Sequence, residues 1–360
     1  MTRSKRIVIS GYYGFSNAGD EAVLSAIIRG LKSQASADIT VLSASPEETA
    51  KLHGVCALPR MSLCRVRGAL KECDLLISGG GSLIQDATSL RSLIYYLTII
   101  SLAKRYRRKV MILGQGIGPL RRSLSRRLVR KALTGVDLIT VRDAQSADLL
   151  AEMGIGPVKV TADPTFVLEP CSEAESLRFL GETGLSDKDE IIAVSLRKLE
   201  HLPGVPDFGP DAVAALAAKE LPAKLLLVGM QWPDDLVMAK EIGDKTGVAY
   251  QPKPWTPEQM LGVLGKCRLV VGMRLHALIF AAAVGVPCLG ISYDPKVEQF
   301  IRAAGQEGIG LDEMASLPEK VRKTWEARDE LATRLAKSVP AMKHAAEENT
   351  RLAAELISDE

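Results

Sequence analysis

Short apolar, β-branched runs that alternate with helical patterns along almost the whole chain constrain its fold more than any other feature. They fall at residues 6–10, 39–42, 75–78, 110–113, 138–141 and 158–161, and again at 191–195, 224–228, 249–250, 269–271 and 288–291. Helical patterns such as 22–31, 210–220 and 257–264 lie between them. Strands that are apolar on both faces and separated by helices belong to parallel sheets covered on both sides, which predicts an α/β fold of doubly wound sheets. The 360 residues are too many for one such unit, because domains typically run ~100–200 residues. We therefore expect a first domain over 1–168, a linker over the acidic, Gly- and Pro-punctuated stretch 169–190, and a second domain over 191–317. The charged, Ala-rich segment 318–360 predicts C-terminal helices, broken at Pro340 and packed at the domain junction.

Composition removes several function classes. With 47% hydrophobic and 25% charged residues the chain can bury real cores, and a formal net charge of +3 predicts no affinity for nucleic acid. The six cysteines form no CxxC, and the four histidines form no i, i+4 pair, so we expect reduced thiols and no bound metal or cofactor. The apolar run after the basic N-terminus covers only residues 7–9, too short for a signal peptide, which predicts a cytoplasmic location. The longest apolar stretch, 93–103, falls short of the ~20 residues that span a bilayer. Charge is strongly polarised, however: residues 87–136 hold 12 Lys and Arg with no Asp or Glu, which leaves the rest of the chain at −9. Beside an apolar helical pattern at 93–102, that basic region predicts peripheral binding to an anionic membrane surface.

In parallel sheets the ligand lies beyond the C-terminal strand ends, so the turns there should carry the chemistry. After the first run comes Gly11-Tyr-Tyr-Gly-Phe-Ser-Asn17-Ala-Gly-Asp20-Glu21, with Asn17 and Asp20 near a helix start. The string lacks the GxGxxG spacing of a dinucleotide site. Gly79-Gly80-Gly81-Ser-Leu-Ile-Gln85-Asp86 follows the third run, and three successive glycines predict N–H groups facing a ligand. Further on stand Gly114-Gln-Gly-Ile-Gly118, then Arg142, Arg197 and Gly272-Met-Arg274-Leu-His276, the last at the head of an almost uncharged helix where the macrodipole favours an anion. Lys296 follows the last run. We expect Arg142, Arg274, His276 and Lys296 to converge on one small, multiply anionic ligand in an interdomain site.

Taken together, the segments GYYGFSNAGDEAVL (11–24), SGGGSLIQD (78–86), GQGIGP (114–119), VRDAQS (141–146), ADPTF (162–166), VSLR (194–197), GMRLHALIFA (272–281) and YDPKVEQF (293–300) resemble the polysaccharide pyruvyl transferase family, and most closely its CsaB type. The segment Gly229–Asp235 matches the family only loosely. The resemblance implies a GT-B-like pair of Rossmann-like domains facing across a cleft, an acceptor domain first and a donor domain second. It implies transfer of the enolpyruvyl group of phosphoenolpyruvate, a co-substrate rather than a bound cofactor, to a lipid-linked saccharide. The implied product is a 4,6-ketal on N-acetylmannosamine of a secondary cell-wall polymer that anchors S-layer proteins. On this reading His276 is the acid and Asp20, or Asp86 in its place, the base. Arg142, Arg274, Lys296 and Arg197 hold the donor, and Asn17, Gly80, Gly81, Gln85 and Asp86 the acceptor. Two other readings share the scaffold: a GT-B glycosyltransferase that uses a nucleotide sugar, and a non-catalytic polysaccharide-binding regulator.

Overall fold

The computed structural model describes residues 4–34, 36–87, 89–197, 213, 216 and 223–358. Two compact units emerge, one of Met1–Val167 with Met342–Glu360 and one of Leu168–Ala341. The helix expected at 210–220 lies outside the described residues, apart from 213 and 216.

The first unit is built on parallel strands β1 (Lys5–Ser10), β2 (Ala37–Ser43), β3 (Cys56–Pro59), β4 (Leu75–Gly79), β5 (Lys109–Gln115), β6 (Leu138–Val141) and β7 (Lys159–Val160). Their order is β3-β2-β1-β4-β5-β6-β7, so the winding reverses between β1 and β4, where Ser10 stands level with Ser78. Period-two alternation sorts the side chains: Ile7, Ile9, Leu75, Ile77, Met111 and Leu113 enter one core, while Val8, Leu76, Val110 and Ile112 enter the other. The helix Ala18–Gln34 and the end of the C-terminal helix cover the first face. The helices Leu63–Glu72, Leu90–Arg105 and Ser123–Leu133 cover the second. The apolar pattern at 93–102 is thus a core element, with Leu93, Tyr96, Leu97, Ile99 and Ile100 buried, and its apolar face is not the membrane contact expected from sequence.

The second unit carries β8 (Ile191–Ser195), β9 (Lys224–Leu227), β10 (Ala249–Tyr250), β11 (Leu269–Gly272), β12 (Cys288–Ser292) and β13 (Glu307–Gly310), in the order β10-β9-β8-β11-β12-β13. All recorded pairs are parallel, and the winding reverses between β8 and β11. Ser195, Gly272 and Gly290 stand level across β8, β11 and β12, so the turns that follow them open at one sheet end.

The leading segment of the first unit ends at Val167. The stretch 169–190 is not a bare linker: Ser172 caps a helix, Glu173–Gly181, whose Phe179 and Leu180 are buried in the second unit. The C-terminal segment is divided rather than separate. Its long helix, Arg328–Ser358, runs through Pro340 without a break, and its residues from Met342 onward belong to the first unit. A proline costs a helix one hydrogen bond and some steric strain, and here buried residues on both sides, Leu335 and Val339 before it and Ala346 and Ala353 after it, hold the axis. Within the first unit, Asn349 of this helix accepts from Thr140 (2.7 Å) and Thr161 (2.9 Å) and donates to the Ala162 carbonyl (3.0 Å), fixing β6 and the turn after β7.

Candidate functional site

At the reversal point of the first unit, the turn after β1 is locked before any ligand is considered. Asn17 is the cap of the helix Ala18–Gln34: its Oδ1 accepts from the N–H groups of Gly19 (3.0 Å) and Asp20 (3.1 Å). Glu21 reaches back to the Gly14 N–H (2.8 Å) and meets buried His53 at 2.9 Å. Gly14 takes φ 76, and a Cβ there would stand 2.2 Å from the Ser43 hydroxyl, so no other residue fits this turn.

Packing requires glycine in the turn after β4. The Gly80 N–H donates to the Leu113 carbonyl (2.8 Å), and a Cβ on Gly80 would overlap Val23 at 1.8 Å. Gly81 accepts from the Gly116 N–H (2.9 Å), which binds this turn to the one after β5. Gly80 and Gly81 therefore let the helix Ala18–Gln34 settle on the turn and bring Asp20 over it, its Oδ1 2.9 Å from where a Gly81 Cβ would lie. The Gln85 Oε1 accepts from the Ala87 N–H (2.7 Å).

Two residues expected to contact a ligand have their polar atoms engaged by the protein itself. Asp86 is buried, and its two oxygens accept from the backbone N–H groups of Arg121 (2.8 Å) and Arg122 (2.9 Å). Burial opposes ionisation, but those two donors outweigh it and hold the Asp86 carboxyl below its ordinary range. With both oxygens engaged it is a poor base. Arg142 is spent likewise: Nη1 pairs with Asp163 Oδ2 at 2.8 Å, both side chains under 8% exposed, and Nη2 donates to Ser82 Oγ (3.1 Å). Arg142 belongs to the first unit and Arg274, His276 and Lys296 to the second.

What sequence reading missed at this sheet end is aromatic. Tyr12 and Phe15 stack at 4.2 Å with rings 10° apart. The Arg60 guanidinium lies 5.0 Å from the Phe15 ring and 4.2 Å from Tyr95. Tyr13 donates to the Gly79 carbonyl (3.1 Å) and Tyr96 to the Gly11 carbonyl (3.3 Å). Burial raises the hydroxyls of Tyr12 and Tyr13, to which the Asp20 carboxylate adds. Burial pushes Tyr96 up to about 12, against the lowering effect of Arg60. The only signal available was the pair of Tyr-Tyr dipeptides at 12–13 and 95–96.

The second sheet end gathers arginines, a histidine and a lysine, two of the cations paired with carboxylates. Arg274 caps the start of the helix Leu275–Ala283 by position, and its guanidinium grips Asp235 through Nε (3.0 Å) and Nη2 (2.5 Å). Asp235, itself buried, also accepts from the N–H groups of Met230 (3.0 Å) and Gln231 (2.9 Å), so the segment that matched the family loosely is the one tied to Arg274. His276 stands in the first turn of the same helix, half-buried, with Phe280 one turn on. Arg197 bonds to the Tyr293 hydroxyl at 3.3 Å, and Lys296 pairs with Asp294, the cap of its own helix, at 3.2 Å. Among the described residues no group of three His, Cys, Asp or Glu has the arrangement of a metal site.

The sequence pattern of the family described as Polysaccharide pyruvyl transferase matches residues 17–295. A curated relative, the amylovoran biosynthesis protein AmsJ of Erwinia amylovora, is 23% identical over 86% of this chain and 88% of its own. Among solved structures, the UDP-N-acetylglucosamine 2-epimerase of Neisseria meningitidis has a TM-score of 0.67 at 13% identity, covering 98% of this chain and 100% of that one. A putative UDP-N-acetylglucosamine 2-epimerase of Listeria monocytogenes has a TM-score of 0.66 at 13% identity, covering 96% and 94%. The Anabaena HepE protein in complex with UDP-glucose has a TM-score of 0.62 at 13% identity, covering 98% of each chain. These likenesses show the two-sheet, GT-B-like fold.

Proposed function

From the premise that this chain belongs to the polysaccharide pyruvyl transferase family, we propose that it moves the enolpyruvyl group of phosphoenolpyruvate onto two hydroxyls of one sugar and releases phosphate. The observation that carries the reading is the cluster of Arg197, Arg274, His276 and Lys296 in the turns at one end of the second sheet, all but Lys296 inside the matched segment. Arg197 and Lys296 flank the N-terminus of an uncharged helix that bears His276, which suits a small molecule holding a phosphate and a carboxylate together.

The chemistry then needs one acid and one base. The methylene carbon of the donor takes a proton, a sugar oxygen bonds to the adjacent carbon, the carbon–oxygen bond to phosphate breaks, and the second sugar oxygen closes the ketal. One hydroxyl proton replaces the one given to carbon, and the other leaves with phosphate. His276 is our acid and Asp20 our base. Arg197 and Lys296 contact the donor. Arg274 orients the turn that carries His276, and Arg142 stiffens the glycine turns beneath Asp20. Asn17 and Gln85 border the acceptor.

Further features of the reading are the acceptor's N-acetylmannosamine, its lipid linkage, and action at the cytoplasmic leaflet without a metal. For the leaflet the support is a surface: Met61, Leu63, Ile94 and Leu124 are exposed at or near the starts of three helices packed on one sheet face. Those helices have no acidic residue in their first turns, and Arg91, Arg121 and Arg122 are exposed beside them, a placement the macrodipole disfavours unless an anionic surface compensates. Among the described residues no helix is long and apolar enough to cross a membrane.

The decisive assay is phosphate release from phosphoenolpyruvate with lipid-linked and aryl-linked saccharides, run in D₂O so that the ketal methyl carries solvent deuterium. Release that persists in EDTA is expected. Phosphoenolpyruvate, and not UDP or GDP, should raise the melting temperature; stabilisation by UDP alone supports the glycosyltransferase reading instead.

A further inference from the structure

We propose that the outward face of Tyr12, backed by Phe15 and Arg60, is the platform on which the acceptor's sugar ring stacks beside Asp20. The inference deepens the pyruvyl transfer reading and rests on it for the identity of the acceptor.

Four layers build the platform. Tyr12 lies flat on Phe15, Phe15 lies over the Arg60 guanidinium, and Arg60 lies over Tyr95 and within 5.4 Å of the Tyr96 ring centre. The base of the pile is tied to backbone: Tyr95 donates to the Arg60 carbonyl (3.1 Å), and Arg60 Nη1 donates to the Tyr96 hydroxyl (3.4 Å). Such a pile holds its top ring in one orientation at little further entropic cost. Yet Tyr12 is 38% exposed, while every other described aromatic is half-buried or buried, so the pile ends in its most exposed ring. The turn that presents it is strained, with Ser16 at φ 56.

The chemistry of the place selects the occupant. An aromatic face is electron-rich and attracts the polarised C–H bonds of a pyranose. The carboxylate beside it, Asp20, accepts hydrogen bonds from hydroxyls and repels phosphates, and the Arg60 guanidinium lies between the Phe15 and Tyr95 rings. A neutral, hydroxyl-rich ring fits these conditions, and a phosphate group does not.

The test uses the full chain, with Tyr12→Ala and Tyr12→Phe as variants whose folding is checked by thermal denaturation; an exposed side chain can be trimmed without opening the core. Saturation-transfer NMR with methyl pyranosides, in the absence of phosphoenolpyruvate, should show transfer to the sugar C–H protons that Tyr12→Ala abolishes and Tyr12→Phe restores. In the phosphate-release assay Tyr12→Ala should raise the acceptor KM about tenfold, the equivalent of ~1.4 kcal/mol. The KM for phosphoenolpyruvate should move by less than about twofold. Undiminished transfer in Tyr12→Ala, or displacement of the sugars by uridine, overturns the platform. Failure of any saccharide to elicit phosphate release overturns the pyruvyl transfer reading instead, and the NMR arm still decides the platform.

Discussion

The two sheet ends share one topology and differ in chemistry. At the first, the turn after β1 carries stacked rings and a carboxylate over the glycine turn after β4, Arg60 lies between rings, and Arg142 is tied to Asp163. At the second, the turns after β8, β11 and β12 gather Arg197, Arg274, His276 and Lys296. A doubly wound sheet opens a crevice where its winding reverses, whatever the side chains, so the fold supplies two equivalent places and the turn residues assign them. On the proposed function one takes a neutral polyhydroxyl ring and the other a compact anion. A transferase that joins two dissimilar substrates needs that asymmetry.

The comparison breaks most visibly at its chemical groups. His276→Gln should lower turnover by at least ~10²-fold with phosphoenolpyruvate binding retained, and Asp20→Asn should do the same with the acceptor retained. Near-normal turnover in either variant removes that sheet end from the chemistry. The next effect is on stability. Arg274→Ala leaves Asp235, 3% exposed at its side chain, without its guanidinium, and should cost about 3 kcal/mol in denaturant unfolding, with Lys a poor substitute for the two-pronged grip. Arg142→Ala should cost a similar amount through Asp163, because both arginines act as fasteners.

A smaller effect sharpens the contrast in donor handling: Lys296→Ala or Arg197→Ala should raise the KM for phosphoenolpyruvate about tenfold and leave the acceptor KM unchanged. The smallest concerns Asp86, whose replacement by Asn should cost about 1 kcal/mol at neutral pH. The carboxyl of Asp86 is lowered in the folded state, so its stabilisation is fully present above the ordinary carboxylate value and is lost as pH falls through the folded value. The difference between wild type and Asp86→Asn should therefore shrink below about pH 4. A gap that persists unchanged there means that Asp86 does not act as an ionised anchor.

How much could be read from the residues differs between elements for physical reasons. Most strands were legible because a parallel strand is apolar on both faces. The two missed, β3 and β13, are edge strands, CALP half-exposed and EGIG carrying two glycines. The division of the C-terminal helix was illegible, since Pro340 is a local signal and the buried residues on either side of it are not. The glycine turns were placed correctly, but the packing demand behind them was not legible. Their glycines answer to Val23 and to the neighbouring turn, which no local pattern reveals.

By itself the sequence determined the alternation of strands and helices, the position of each motif at a strand end, and the family, because these depend on order along the chain and on side-chain type. Only the tertiary structure decided which charged side chains are fasteners and which are presented. That depends on partners far away in sequence, as Asp163 is for Arg142, Asp235 for Arg274 and the Arg121 and Arg122 N–H groups for Asp86. A buried charge must find such a partner, and the partner, rather than the residue type, settles what the side chain is left to do.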